Sequence, residues 1–302
     1  MNHDWIVAGV CREGKSDLQS LLAAAVGLAG ALPAGWVHLS SGDPLEAGAM
    51  PFQSTQGTAE KVRSAIAEHK LPIDVAVMPV AQFRRKRLLI SDMDSTIIGQ
   101  ECIDELADAV GLKPQISEIT ERAMRGELDF EAALTSRVAM LRGLPLGELE
   151  RTLRERITLN AGARTLIATM KANGAKTLLV SGGFTFFTSR VAEMAGFNAH
   201  LGNLLADDGL ALTGEVGRPI IGREAKREAL LEAVSQLGIG AEEAIAMGDG
   251  ANDLDMIRAA GLGVAYKAKA LVAAEANASI QHTDLTAALY FQGYTASEFV
   301  HG

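Results

Sequence analysis

Cysteine is nearly missing from this chain: Cys11 and Cys102 are the two present among 302 residues. So few thiols exclude a disulfide-stapled scaffold and fit a reducing compartment. An excess of basic residues is also missing. Asp and Glu number 37 against 28 Lys and Arg, a net charge of −9. This argues against a nucleic-acid partner, which needs a basic face. An anionic small substrate stays open, provided a metal or local cations offset the field. The N-terminus, MNHDWIVAGV, has no basic leader and carries Asp4, which argues against a secretory signal. One run, residues 18–37, holds no charge over a membrane-spanning length. It is rich in Ala and Gly, contains Gln19 and Ser20, and is interrupted by Pro33 and Gly35, so it reads as helix, turn and strand start. A cytoplasmic protein with no membrane partner is expected. Repeats and low-complexity segments are absent too. What remains is 48% hydrophobic and 22% charged, ordinary for a soluble globular protein, and the length suggests about two domains.

Residues 1–85 read as a small α/β domain. WIVAGVC, GWVHLS and IDVAVMPV are predicted strands, and SDLQSLLAAAVGLAGA and TAEKVRSAIAEHK predicted helices. GDPLEAGAMPF (42–52) is too irregular to assign. The basic RRKR (84–87) reads as a solvated connector to a second domain, 86–302. Within it, residues 99–158 carry four helical patterns separated by Gly- and Pro-containing breaks, an inserted helical cap. From residue 161 onward helix and strand alternate as in a parallel sheet with crossover helices. Asp208-Gly209 marks a hairpin turn inside LLADDGLALTGEV. LYFQG (289–293) looks like a protease-recognition tag, but its flanks read as native chain.

Three apolar runs end in polar clusters. KRLLISDMDST passes from Leu88–Ile90 to Asp92 and Asp94. KTLLVSGGF passes from Leu178–Val180 to Ser181, Gly182 and Gly183. EAIAMGDGAND passes from Ala244–Met247 to Asp249 and Asn252–Asp253. In open α/β sheets ligands bind beyond the carboxyl ends of the strands, at a switch point, so three such mouths converge on one pocket. Asp92, Asp94 and Asp249 are hard oxygen ligands suited to Mg²⁺, and clustered carboxylates without a cation repel one another. Ser181 supplies a hydroxyl beside glycines whose backbone can approach a phosphate. Lys226, on a predicted helix, supplies a point charge. Separately, each feature has a structural reading as turn, cap or surface charge. Together and in this order they describe a phosphoryl-transfer site.

At these residues the chain resembles the haloacid dehalogenase-like superfamily and, within it, the phosphoserine phosphatase family. The resemblance rests on DMDST (92–96), SGG (181–183), Lys226 and GDGAND (248–253) and spans roughly residues 86–297. It implies a Rossmann-like core with an inserted helical-bundle cap, behind an N-terminal α/β domain of ferredoxin-like or ACT-like type. It implies Asp92 as the nucleophile that becomes an aspartyl-phosphate and Asp94 as general acid and then base. Mg²⁺ would be held by Asp92, the Asp94 backbone carbonyl and Asp249. Ser181, Gly182 and Lys226 would stabilise the phosphoryl group, Asn252 contact it, and Asp253 hold Lys226 or its loop. The presence of Asp94 favours ester hydrolysis over dehalogenation, because a halide leaves without a proton.

The resemblance further implies that Glu101 and Arg137 take the substrate's ammonium and carboxylate, with Met124 and Phe130 as apolar cap residues. The expected reaction is hydrolysis of O-phospho-L-serine, the last step of serine biosynthesis. Alternatives are phosphoryl transfer to an alcohol such as homoserine, hydrolysis of another small phosphomonoester, and a silent ligand-sensing module. Amino-acid sensing and homodimerisation are the expectations attached to residues 1–85.

Overall fold

The computed structural model describes residues 4–12, 17–42, 44–53, 57–69, 71–125 and 127–302. The N-terminal part runs β1 (Trp5–Arg12), α1 (Leu18–Leu28), β2 (Val37–Gly42), β3 (Leu45–Phe52), α2 (Thr58–Glu68) and β4 (Asp74–Pro79). Its strands lie in the order β2-β3-β1-β4 with antiparallel neighbours, the split β-α-β arrangement of ferredoxin-like units. The segment 42–52, unassignable from sequence, supplies β3. Alternate residues of this sheet face α1 and α2: Val7, Cys11, Val75 and Val77 pack with Leu18, Leu22, Val62 and Ile66. Their neighbours Ile6, Ala8, Val10, Ala76 and Met78 join the largest core cluster, shared with Tyr266, Leu285 and Tyr290.

The rest begins with β5 (Leu88–Ser91). Four cap helices follow: α3 (Cys102–Asp108), α4 (Lys113–Met124), α5 (Phe130–Met140) and α6 (Gly147–Arg156). Asp129 caps α5 through a 2.8 Å bond from the Ala132 amide, and Pro114 stands in the first turn of α4, where its missing N–H costs nothing. The chain continues through α7 (Ala163–Ala172), β6 (Lys176–Phe184), α8 (Thr185–Ala195), β7 (Ala199–Asn203) and the hairpin β8 (Leu205–Asp207) and β9 (Leu212–Val216). It ends with α9 (Arg223–Leu237), β10 (Ala244–Gly248), α10 (Leu254–Ala259), β11 (Leu262–Tyr266), α11 (Ala270–Glu275), β12 (Ala278–Ile280) and α12 (Ala287–Tyr290). The expected hairpin turn forms at Asp208-Gly209, with the Asp208 carboxylate accepting from the Leu210 and Ala211 amides.

All these strands except the hairpin share one ten-stranded sheet, β2-β3-β1-β4-β12-β11-β10-β5-β6-β7. From β12 to β7 it is parallel, and its strands are apolar on both faces because helices cover both. Leu88 and Ile90 face the cluster of Leu230, Val234 and Met256, whereas Leu89 faces the cluster of Leu166, Ile167 and Phe187. The N-terminal strands join through β4, which pairs antiparallel with β12. Buried Asp74 reinforces that seam by accepting from the Gln281, His282 and Thr283 amides at 2.6–2.9 Å.

Among the described residues no helix is long and apolar enough to cross a membrane. The uncharged run 18–37 forms α1, a connection and the first residue of β2. Residues 289–292 of LYFQG are buried in the core. Cys11 and Cys102 are free and buried.

Candidate active site

From β5 the chain moves outward to β6 and β7, then returns to lay β10, β11 and β12 on the other side. The β5–β10 boundary is therefore the switch point, where the carboxyl ends of two strands diverge and leave a crevice. Register does the rest. Ser91 lies opposite Met247 on β10 and Leu179 on β6. Asp92 thus follows one residue later, and Asp249 and Ser181 two residues beyond their strand partners.

Asp92 is buried and fixed on both oxygens. The Met93 amide donates to Oδ1 at 2.7 Å, and the Lys226 ammonium lies 2.8 Å from Oδ2. Lys226 reaches in from α9 with no exposed surface and contacts Asp253 Oδ1 at 2.7 Å. Asp253 Oδ2 accepts from the Asp249 and Gly250 amides at 3.2 and 3.1 Å, which locks the GDGAND loop. Asp94 Oδ1 accepts from the Cys102 amide at 3.4 Å. The Thr96 hydroxyl lies 3.5 Å from Asp249 Oδ1.

One cavity is lined by Asp92, Asp94, Glu101, Phe130, Arg137, Gly182 and Asn252, joining both sides of the cap–core junction. Phe130 of the cap lies so close over Gly182 that a Cβ there would stand 2.6 Å from its ring. Gly182 is thus a close-approach glycine. Asn203 holds that strand end, donating to the Gly182 carbonyl at 2.8 Å and accepting from the Ile221 amide at 2.7 Å. Glu101 accepts from the Ser95 hydroxyl at 2.6 Å. Asn252 Oδ1 is buried without a partner among the described residues, the state that a bound polar group or water resolves.

Several sequence expectations are refined. The SGG segment is not a loop: β6 continues through it to Phe184, with a break in register against β7 between Val180 and Phe184. Ser181 is buried, accepts from the Gly183 amide at 2.8 Å, and does not line the cavity. Arg137, a surface charge by residue type, is buried. Met124 ends α4, and its side chain falls outside the described residues. Thr96 lay inside the DMDST motif without being given a role, and Asn203 and Thr120, which also borders the cavity, carried no signal in the sequence, because an isolated Thr or Asn has no periodicity or spacing that marks a site.

Burial sets the electrostatics. It pushes Asp94 up to about 7, against the Cys102 hydrogen bond and reinforced by Asp92. It raises Asp92 as well, with Asp253 adding to the rise and Lys226 opposing it. Glu101 goes up to about 8 by burial and its proximity to Asp94, and Asp249 rises well above the carboxylate range. Burial works against the Lys226 charge, but Asp253 and Asp92 outweigh it and keep the ammonium charged.

Asp92, Asp249 and Asp253 each offer an oxygen within 4.8 Å of the others. Among the described residues Asp253 meets Lys226 and two amides, three contacts over its two oxygens, whereas each Asp92 oxygen has a single contact and the Asp249 carboxylate meets only the Thr96 hydroxyl, so Asp92 and Asp249 keep the most lone-pair capacity for a cation. Hard oxygens, buried and short of positive charge, fit a divalent cation. A pH dependence follows. Carboxyls with raised folded pKa values hold protons that the unfolded chain releases, so metal-free protein should lose stability from about pH 4 to about pH 8. A cation displaces those protons, so its stabilisation should grow over the same range. Thermal denaturation with chelator and with excess Mg²⁺, at about pH 5 and about pH 8, should give a gap in Tm that widens with pH. A constant gap would contradict this.

The haloacid dehalogenase-like hydrolase family model matches residues 89–258. A phosphoserine phosphatase from Albidiferax ferrireducens is 48% identical over 200 residues, 65% of this chain and 84% of that protein. Among solved structures, a HAD-family hydrolase from Salmonella enterica serovar Typhi aligns with a TM-score of 0.81 at 29% identity, covering 95% of this chain and 98% of that one. A phosphoserine phosphatase solved as a phospho-aspartyl intermediate analogue aligns with a TM-score of 0.65 at 36% identity, covering 69% of this chain and 99% of that one. The chain belongs to the haloacid dehalogenase-like hydrolase family, among its phosphoserine phosphatases.

Proposed function

We propose that this chain hydrolyses O-phospho-L-serine to L-serine and inorganic phosphate, the closing step of serine biosynthesis. Asp92 Oδ attacks phosphorus and the bond from phosphorus to the serine oxygen breaks, while Asp94 gives that oxygen its proton. Asp94, now ionised, takes a proton from water as the water attacks the aspartyl-phosphate, and phosphate leaves with Asp92 restored. A group that must be protonated in one half and ionised in the other works best with a pKa near the working pH, and burial holds Asp94 there. Lys226 orients Asp92 and offsets its charge. Gly182 and Asn252 border the phosphoryl position, and Ser181 supports the strand end beside it. Mg²⁺ is the proposed cation: Asp92, Asp249 and the Asp94 backbone carbonyl would hold it, and it would supply charge neutralisation during phosphoryl transfer.

The observation that carries the substrate reading is that one cavity is lined both by a buried carboxyl, Glu101, which an incoming ammonium would favour in its ionised form, and by a buried guanidinium, Arg137, which forms no salt bridge among the described residues and can take a carboxylate. Phosphate release should therefore be faster with phosphoserine than with sugar phosphates, should match serine release mole for mole, and should stop with chelator. Arg137→Met, similar in volume and uncharged, should raise KM for phosphoserine about a hundredfold with kcat much less affected. An unchanged KM would remove Arg137 from recognition.

A further inference from the structure

Arg137 is held in an unusual way for a buried cation. The residue as a whole is 5% exposed. Nε donates to the Ala133 carbonyl one turn back at 3.2 Å, and Nη1 donates to the Thr120 hydroxyl on α4 at 2.7 Å. Among the described residues Nη2 has no hydrogen-bond partner, and no carboxylate forms a salt bridge with the group. Thr120 is itself buried, and its Oγ1 faces two acceptors: Asp104 Oδ1 on α3 at 2.8 Å and the Ile116 carbonyl at 3.0 Å. A hydroxyl has one proton to give. With a cation donating into its lone pair, the favoured recipient is the carboxylate, which is both nearer and charged.

We propose that Thr120, backed by Asp104, is a positioning residue for substrate recognition that holds the Arg137 guanidinium at the cavity wall while leaving its charge unspent. This rests on the phosphoserine reading. A carboxylate in direct contact would neutralise Arg137, and the substrate's carboxylate would have to displace it. A hydroxyl fixes one nitrogen without neutralising it. The charges of Glu101 and of Asp104, the latter one hydrogen bond further away, offset part of the burial cost without a direct contact to the guanidinium. Arg137 and Thr120 border the cavity and Asp104 does not, so the three form a chain running from the pocket into the cap. Three cap helices, α3, α4 and α5, contribute one member each. Recognition of the carboxylate therefore depends on how those helices pack.

The test compares Thr120→Val, which keeps the shape and removes the hydroxyl, with Thr120→Ser, which keeps the hydroxyl. Each is assayed on phosphoserine and on phosphoethanolamine, which has the same phosphate and ammonium but no carboxylate. Thr120→Val should raise KM for phosphoserine about tenfold, leave kcat within about threefold, and leave KM for phosphoethanolamine unchanged. Thr120→Ser should restore KM for phosphoserine to within about twofold of the parent. Asp104→Asn, which keeps an acceptor but loses the charge, should fall between them. Turnover of phosphoethanolamine reports that each variant is folded. A KM for phosphoserine that Thr120→Val leaves unchanged, or a rise shared equally by both substrates, would overturn the relay while the parent's preference for phosphoserine stands. A parent enzyme that handles both substrates alike would overturn the phosphoserine reading and the relay with it.

Discussion

Asp92→Asn should lower phosphate release from phosphoserine by a factor of about 10⁴ or more, the scale of losing a covalent nucleophile. The fold should survive it. The Asn side chain has the same shape and can turn its oxygen to one of the two donors that Asp92 meets, the Met93 amide or the Lys226 ammonium, while Lys226 keeps Asp253. It also removes one negative charge from a cluster in which a single ammonium sits between two carboxylates. Burial already disfavours the Asp92 charge, which offsets the one contact that an amide loses, so metal-free Asp92→Asn protein should melt close to the parent's Tm. Loss of turnover with little change in Tm separates a chemical role from a structural one. A variant with ordinary turnover would dismiss Asp92 as the nucleophile.

Lys226→Met should fail on both counts. Its ammonium meets Asp92 Oδ2 and Asp253 Oδ1 in a place with no access to solvent. Without it, two buried carboxylates lose their counter-charge, and Asp253 loses the partner that steadies the GDGAND loop. Breaking a buried pair from one side costs about 3–5 kcal/mol, and turnover should fall by a factor of about 10³ or more. The stability loss has a sign in pH. Carboxyls without a cation shed their penalty by taking up protons, so the deficit relative to the parent should shrink on acidification and grow toward about pH 8. Urea denaturation of chelated protein at two pH values reads this directly. A deficit independent of pH would mean that Lys226 contributes packing rather than charge.

Much of this site was legible before the fold because each strand that leads into it is an apolar run ending abruptly in Asp, Ser or Gly. Parallel strands covered on both faces leave that signature, and Leu88–Ile90, Leu178–Val180 and Ala244–Met247 all carry it. The four cap helices were legible from their period and their Gly and Pro breaks. The strand β3 was not. Its middle, Ala47-Gly48-Ala49, has none of the β-branched bulk that marks strands, and at Gly48 the Trp36 ring occupies the space of a side chain. A Cβ at Gly48 would stand 2.2 Å from the Trp36 ring. The seam between β4 and β12 was equally hidden, since about two hundred residues separate Asp74 from the Gln281–Thr283 amides that it accepts from and no local pattern spans that distance. Burial of Lys226 and Arg137 also lay beyond sequence. A helical cation reads as solvated until the partners that bury it are known, and here those come from β5, α4 and the GDGAND loop.

The most direct measurement is capture of the covalent intermediate. Enzyme mixed with phosphoserine carrying radiolabelled phosphate, quenched in acid within the first turnover and digested, should yield one labelled peptide, the one containing Asp92. That label should be lost on treatment with hydroxylamine, as an acyl phosphate is. Label on the peptide containing Ser181, or turnover with no protein-bound label at any quench time, would contradict a carboxylate nucleophile at position 92.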